Sequence, residues 1–319
     1  MTTIIEEPHP KTGYVESEQE KLPPPATRKH SHARENLFAY AFLAPQVIGL
    51  VVFMLGPLAF AIVLSFSNWD GFGNRSFAGF GNFAAVLSDP QFGLSARNTV
   101  WYAVLATPGT MLAAFIVAYL MLKVRGRGFY RTFYFAPVIT SSVAVAAIWL
   151  WLFNPEISPL NNFLKSIGLP APDWLQNPNT VIPAFAIVAI WQGIGYQMVM
   201  FTAGLENVPQ SLIEAADIDG ASEWQKMRKI TIPLLSPTIL FLSITSIIGS
   251  FQVFDYIFLF MGSTAPASSR TVVYDLYQKA FVEFNFGQGS AIAVLLFLAL
   301  LALTGLQLLA QKRWVHYTE

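Results

Sequence analysis

Few side chains in this 319-residue chain could do chemistry, and most of those few interrupt long apolar runs. One run contains Trp191, Gln192, Gly193, Gly195, Tyr196 and Gln197, in which Gln192 and Tyr196 share a face if the run is helical. A second contains Ser243, Ser246 and Ser250 on one helical face and Gln252, Asp255 and Tyr256 on an adjacent one. Amides, hydroxyls and phenols hydrogen-bond the hydroxyls of an uncharged solute. An aromatic ring stacks on the apolar face of a pyranose, and glycine lets a backbone come close to a ligand. The same residue types also pack membrane helices against one another, so spacing alone leaves both readings open. Asp255 is the one charge in these runs. A carboxylate at mid-membrane costs about 2.5–3.5 kcal/mol on insertion scales, which puts Asp255 on a cavity, a partner or an interface. No basic residue lies within the apolar runs, so an anionic solute would find no fixed counter-charge there and a neutral polyol fits better.

Enzyme chemistry has little to stand on. There is no cysteine, which removes disulfides, thiolate nucleophiles and cysteine metal sites together. The chain has no Gly-x-x-x-x-Gly-Lys-Ser/Thr loop, no His-Glu-x-x-His and no Gly-x-Ser-x-Gly. Its histidines, at 9, 30, 32 and 316, lie outside every apolar run, and His30 and His32 sit in a basic patch that reads as solvated or near anionic lipid rather than as a metal site. No catalytic residue, resident cofactor or metal is therefore expected. Equal numbers of acids and bases give no reason to propose nucleic acid as a partner.

The elements that position these residues follow from hydropathy. Only 12% of residues are charged and 54% are hydrophobic, against about 25% charged in soluble domains, so much of the surface must meet lipid. A bilayer core of roughly 30 Å needs about 20 apolar residues per helix. Six windows qualify: 37–69, 98–122, 132–153, a stretch within 181–205, about 234–261 and about 289–311. The expectation is an all-α membrane protein of six transmembrane helices. Pro45 and Pro57 should kink the first. Basic residues are concentrated in the N-terminal tail, the second-to-third loop, the fourth-to-fifth loop and the C-terminus, 14 against 5 in the alternate loops. Both termini should thus face the cytoplasm. Residues 1–36 mix acids, bases and five prolines and read as a disordered cytoplasmic tail, with 37–319 the membrane domain.

The connection 206–233 is too long and too well punctuated to be a plain loop. Pro209 suits a helix start, Gly220 a left-handed helix stop, and Ser222 with Gln225 a capping box. Lys226, Arg228 and Lys229 suit the C-terminal end of the second helix, and Pro233 should close the segment. Asp217 and Asp219 oppose the dipole at the end of the first helix by roughly 0.3–1 kcal/mol each, so local stability does not explain them. A partner surface receiving the acids would.

These residues resemble a known family. Glu214-Ala215-Ala216-Asp217-Ile218-Asp219-Gly220-Ala221, followed by Ile230-Thr231-Ile232-Pro233-Leu234-Leu235-Ser236-Pro237, is similar to the EAA loop of binding-protein-dependent ATP-binding-cassette (ABC) importer permeases. Phe42-Leu43-Ala44-Pro45, Gly79-Phe80-Gly81-Asn82-Phe83, Asp89-Pro90, Asn98-Thr99, Phe129-Tyr130-Arg131 and Phe135-Ala136-Pro137 resemble its carbohydrate subgroup, although Ser263-Thr264-Ala265-Pro266 stands where the subgroup usually has Gly-Gly-Pro. The resemblance implies an inner-membrane permease subunit that moves a sugar. Glu214, Ala215, Ala216, Asp217, Asp219 and Gly220 would form a cytoplasmic coupling helix that docks into an ATPase subunit. It implies a dimer of ATPase subunits binding ATP and Mg, a second homologous permease, and an extracytoplasmic sugar-binding protein. Gly193 and Tyr196 fall near the family's sugar contacts, which would place Gln192, Gly193, Tyr196, Gln197, Ser250, Gln252, Asp255 and Tyr256 along the substrate pathway. The alternative is an ATPase-independent secondary transporter or channel for a neutral polar solute. It leaves the connection 206–233, an elbow of two helices, unexplained and lacks the ionisable groups that ion coupling uses inside a membrane.

Overall fold

The computed structural model describes residues 32–122 and 124–315. The tail expected over residues 1–36 therefore lies outside the described residues up to position 31. The described residues divide into two units, one up to Gly56 and one from Pro57 onward. In the first, α1 (His32–Leu50) contains Pro45 and leads into a π-helical turn, Val51–Leu55, in which the Gly56 N–H reaches back to the Val51 carbonyl. Its apolar side chains are exposed, Phe42 by 85% and Phe53 by 82%, as expected of a surface that meets lipid or another chain.

The second unit is helical apart from one short hairpin. After α2 (Gly56–Ser65), β1 (Ser67–Asn68) pairs antiparallel with β2 (Ser76–Phe77), Ser67 opposite Phe77. Next come α3 (Gly81–Ser88) and α4 (Pro90–Met121). Asp89 caps α4 by accepting from the Gln91 N–H at 2.9 Å, with Pro90 in the first turn where its missing N–H costs nothing. These start signals carry the helix back past the expected Asn98 and take the exposed Arg97 into it.

The third window departs most from expectation. Instead of one span over 132–153 there are two arms, α5 (Arg127–Ile139) and α6 (Ser142–Leu152), bent by 96°. Pro137 weakens the last turn of α5, Thr140 and Ser141 adopt extended conformations, and the Ser141 hydroxyl caps α6 by accepting from the Ala144 N–H at 3.3 Å. The apolar count could not register this break, because both arms are hydrophobic.

A short helix α7 (Pro159–Ser166) precedes α8 (Val181–Glu206), which leads into the elbow helices α9 (Gln210–Ile218) and α10 (Glu223–Lys226). A π-turn, Met227–Thr231, continues into α11 (Ile232–Leu234) and α12 (Ser236–Phe251). Pro233 thus does not close the segment as expected. Its ring would crowd the carbonyl four residues back in an α-helix, and the wider π-turn just before it relieves that conflict. After a break at 252–254 come α13 (Asp255–Met261), α14 (Val272–Tyr277), a π-turn Gln278–Val282 and α15 (Phe286–Ala310).

Among the described residues five stretches are long and apolar enough to cross a bilayer: Phe38–Ser65, Pro90–Met121, Val181–Glu206, Ser236–Thr264 and Phe286–Arg313. The bent pair makes six if its arms are one span. The core of the second unit lies where α4 and α8 pack along their length. Tyr102 and Ala106 meet Ile182, Phe185 and Tyr274 at one level, and Ala114 and Ala118 meet Met198, Phe201 and Leu242 at another. Close approach depends on small residues. A Cβ on Gly193 would come within 2.8 Å of the Thr110 Cγ2, and one on Gly195 would collide with the Tyr134 carbonyl and lie 2.9 Å from the Phe135 Cα. Gly195→Val should accordingly lower the yield of monodisperse protein several-fold in size-exclusion chromatography. Gly249→Ala, with nothing within 4 Å of its added carbon, should leave the profile unchanged.

Candidate functional site

The elbow is built as its punctuation requires. Gly220 has φ +72°, and the Gly220 N–H donates to the Asp217 carbonyl (3.1 Å) while the Ala221 N–H donates to that of Ala216 (2.9 Å). This pair of bonds is a Schellman stop, which only a residue at ease in the left-handed region completes cheaply. Two residues on, the Ser222 N–H donates to Gln225 Oε1 (2.7 Å) and the Gln225 N–H to Ser222 Oγ (3.3 Å), closing the capping box. α9 buries no residue. Glu214, Ala215, Asp217, Asp219 and Gly220 are exposed and Ala216 is half-buried. Beside them Ile218 is 88% and Trp224 63% exposed, an apolar-and-acidic surface.

Asp217 does not lack a local partner, contrary to expectation. The Lys226 ammonium lies 2.6 Å from Asp217 Oδ1 and 2.5 Å from Glu223 Oε1. Hydrogen bonds to Asp217 and then to Glu223 hold the Lys226 pKa above its ordinary value. A spacing of nine residues across a turn does not show in helical periodicity, which is why this bridge was not read from the sequence.

Within the apolar helices the polar residues fall into separate places. Gln197 Nε2 donates to Ser246 Oγ at 2.8 Å, Gln307 Nε2 to Ser243 Oγ at 3.4 Å, and Ser250 Oγ lies 3.0 Å from Thr107 Oγ1. The three serines of α12 therefore face α15, α8 and α4 in turn. Gln197 Oε1 and Gln307 Oε1 are buried without a hydrogen-bond partner. Gln192 faces elsewhere, its Nε2 donating to the Pro137 carbonyl at 3.3 Å beside the bend. Gly193 and Gly195 occupy helix contacts, and Tyr196 is 45% exposed. Asp255 opens α13 and is exposed, as is Gln252, whereas Tyr256 packs beside Val145, Trp149 and Phe153. Gln197 and Ser250 thus share the α4–α8–α12 seam, and the other candidates do not join them. Thr107 and Gln307, polar residues within apolar runs, were not read as candidates from the sequence.

A second polar cluster was not read as one from the sequence, although Asn98-Thr99 and Asp89 carry part of the resemblance. Asn98 Nδ2 lies 3.0–3.1 Å from the carbonyls of Ala267, Ser268 and Arg270, and Thr99 Oγ1 accepts from the Val272 N–H at 2.9 Å. The segment after the fifth apolar run is thereby fastened to α4. In the adjoining α14, Asp275 is 1% exposed and neither carboxylate oxygen has a hydrogen-bond partner. Burial pushes its pKa up to about 6, against the pull of Lys279 and Arg270 and with the help of Asp89 and Glu283. Lys279 itself bridges Asp89 (3.4 Å) and Glu283 (3.1 Å).

The family described as "Binding-protein-dependent transport system inner membrane component" matches residues 109–316. The "sn-glycerol-3-phosphate transport system permease protein UgpA" of Brucella abortus is 36% identical over 285 residues, covering 88% of this chain and 97% of the relative. The "Lactose transport system permease protein LacF" of Rhizobium radiobacter is 33% identical, covering 82% and 91%. A crystal structure of a bacterial ABC transporter involved in import of the acidic polysaccharide alginate superposes with a TM-score of 0.77 at 23% identity, covering 88% of this chain and 97% of that one, a likeness of fold.

The Asp275 carboxyl titrates well above the ordinary carboxylate value of about 3.9, so the folded chain holds a proton through the window from about 4 to 6 that the unfolded chain has released. Folded stability therefore falls as pH rises through that window and is flat for this group above it. Asp275→Asn should raise the thermal midpoint of the detergent-solubilised protein at pH 7.5 and leave it nearly unchanged at pH 4. Scanning fluorimetry at the two pH values measures the difference.

Proposed function

The chain belongs to the family of binding-protein-dependent transport system inner membrane components, and from that premise we infer that it is the membrane-spanning permease subunit of an ABC importer that carries a sugar into the cytoplasm. The observation that carries this reading is the elbow. α9 is stopped by the Gly220 turn and α10 is capped by Ser222 and Gln225, yet α9 buries no side chain, and the two helices and their turn present Glu214, Ile218, Asp219 and Trp224 outward. A helix with that surface makes sense as one that is covered by another protein.

The proposal counts the bent pair α5–α6 as one span, giving six, and follows the distribution of Lys and Arg in placing both termini and the elbow in the cytoplasm. Glu214, Ala215, Ala216, Asp217, Asp219 and Gly220 dock on an ATPase subunit. A pair of such subunits binds and hydrolyses ATP with Mg, a second homologous permease completes the pathway, and an extracytoplasmic binding protein delivers the sugar. Closure of the ATPase pair moves the elbow, and the helices shift between two packings. Gln192, Gly193, Tyr196, Gln197, Ser250, Gln252, Asp255 and Tyr256 belong to the pathway or its walls. In that role the buried pairs Gln197–Ser246 and Ser250–Thr107 exchange their mutual hydrogen bonds for bonds to sugar hydroxyls when the seam opens. The lactose relative and the absence of basic residues from the six apolar windows favour a neutral sugar, whereas the glycerol-3-phosphate relative is named for an anionic solute.

Co-purification from the native membrane, followed by reconstitution in proteoliposomes with a panel of radiolabelled lactose, maltose and arabinose oligosaccharides, tests the assignment. ATP-driven uptake that needs an ATPase and a second permease is expected; uptake by this chain alone without ATP would establish the channel or secondary transporter instead. Glu214→Lys and Gly220→Asp should both insert normally and lower ATP-driven uptake at least tenfold. Unchanged uptake in a well-inserted Glu214→Lys variant would remove the elbow from coupling.

A further inference from the structure

We propose that Lys226 is the positioning residue that makes the two elbow helices move as one body, so that a force applied to α9 reaches α10 and the helix beyond it. The proposal rests on the coupling role of the elbow proposed above and adds to it the part that transmits the motion.

Among the described residues α9 is held by little besides its turn and the Lys226 bridge. It buries no residue, so apolar packing does not hold its orientation, and its one covalent tie to α10 is the turn at Gly220 and Ala221. That turn has no side chain filling it: a Cβ on Gly220 would meet nothing within 4 Å. Cavities of about 340 and 300 Å³ lie on either side of Lys226, the first bordered by Tyr119, Ile213 and Met227, the second by Ala216 and Lys229. Across this unfilled space the ammonium is the group that contacts both helices, at 2.6 Å from Asp217 in α9 and 2.5 Å from Glu223 in α10.

The geometry suits a post rather than a solvated ion pair. The Lys226 side chain is only 11% exposed, whereas the two carboxylates are 54% and 61% exposed. The cation is thus withdrawn from water with two anions to compensate it, and each anion keeps water on its outer side. A buried ammonium left with no partner is strongly unfavourable, so α9 cannot swing away from Lys226 without exposing that charge or leaving it to Glu223 alone. Glu223 also accepts from the Tyr119 hydroxyl at 3.2 Å, which carries the connection to the end of α4. Sequence position adds to this: Lys226 is the last residue before the π-turn Met227–Thr231 that leads through α11 into α12. The post stands where the elbow joins the membrane helix whose serines contact α4, α8 and α15.

The test uses the complete complex that co-purifies with the chain. Hydrogen exchange of the α9 amides is followed with and without the non-hydrolysable ATP analogue AMP-PNP, alongside uptake per ATP hydrolysed for the panel sugar that the wild type carries. Lys226→Met keeps the stem and removes the charge; it is expected to speed exchange across 210–218 about tenfold, to retain ATP hydrolysis, and to lower uptake per ATP at least fivefold. Lys226→Arg should restore both readouts. Asp217→Asn, which leaves the Lys226–Glu223 pair in place, should reproduce the effect and serves if Lys226→Met does not insert. Wild-type exchange in α9 and normal uptake per ATP in Lys226→Met or Asp217→Asn would overturn the post. If Glu214→Lys uncouples in the same experiment, the elbow keeps its coupling role and only the post falls. If Glu214→Lys also couples normally, the coupling reading itself has failed. Loss of hydrolysis and uptake in equal proportion, without rescue by arginine, would make Lys226 a stability residue and would likewise overturn the proposal.

Discussion

Polar groups inside a hydrocarbon layer have no water to fall back on, and every other feature of the membrane unit is arranged around that constraint. α12 meets it with three serines. Ser243 takes an amide from α15, Ser246 an amide from α8, and Ser250 pairs with a threonine of α4. One helix thereby touches three others through short polar contacts, each worth roughly 0.6 kcal/mol on average in membrane proteins. Such contacts are individually weak and easily exchanged for others of their kind. Gln197 Oε1 and Gln307 Oε1, on two of the helices that α12 contacts, are left without hydrogen-bond partners.

Apolar packing supplies the rigid counterpart. Gly193 lets α8 approach α4 and Gly195 lets it approach α5, while aromatic and small side chains cluster around Phe185 and Phe201. At the start of the second apolar window, Asn98 and Thr99 fasten the segment 265–272 to α4 by bonding to its backbone rather than to its side chains. That choice fixes the path of the segment while leaving its side chains free to vary.

The elbow was the most legible part of the sequence because its determinants are local. Pro209, Gly220, Ser222 and Gln225 each act within a few residues, and the Schellman stop and capping box fall where the residue types put them. The apolar helices were legible as lengths of hydropathy. What hydropathy cannot carry is direction, so the bend between α5 and α6 stayed hidden behind two equally apolar arms. Contacts between elements were hidden for a related reason. Lys226 meets Asp217 only because the turn at Gly220 folds α10 back, and Asp275 is buried only because α14 packs against its neighbours. For the candidate pathway, residue type was readable but facing was not: Gln192 and Gln197 are five positions apart and bond to different helices.

The bend between α5 and α6 also bears on how the chain enters the bilayer during synthesis. At 1.5 Å per residue the 13 residues of α5 reach about 20 Å and the 11 of α6 about 16 Å, so neither arm alone spans a hydrocarbon core of roughly 30 Å. An insertion machinery that judges each segment separately meets two short candidates here rather than one full one. α5 is accommodated chiefly against α8, which emerges from the ribosome more than forty residues later. α5 therefore meets its main packing partner only after α8 has been made.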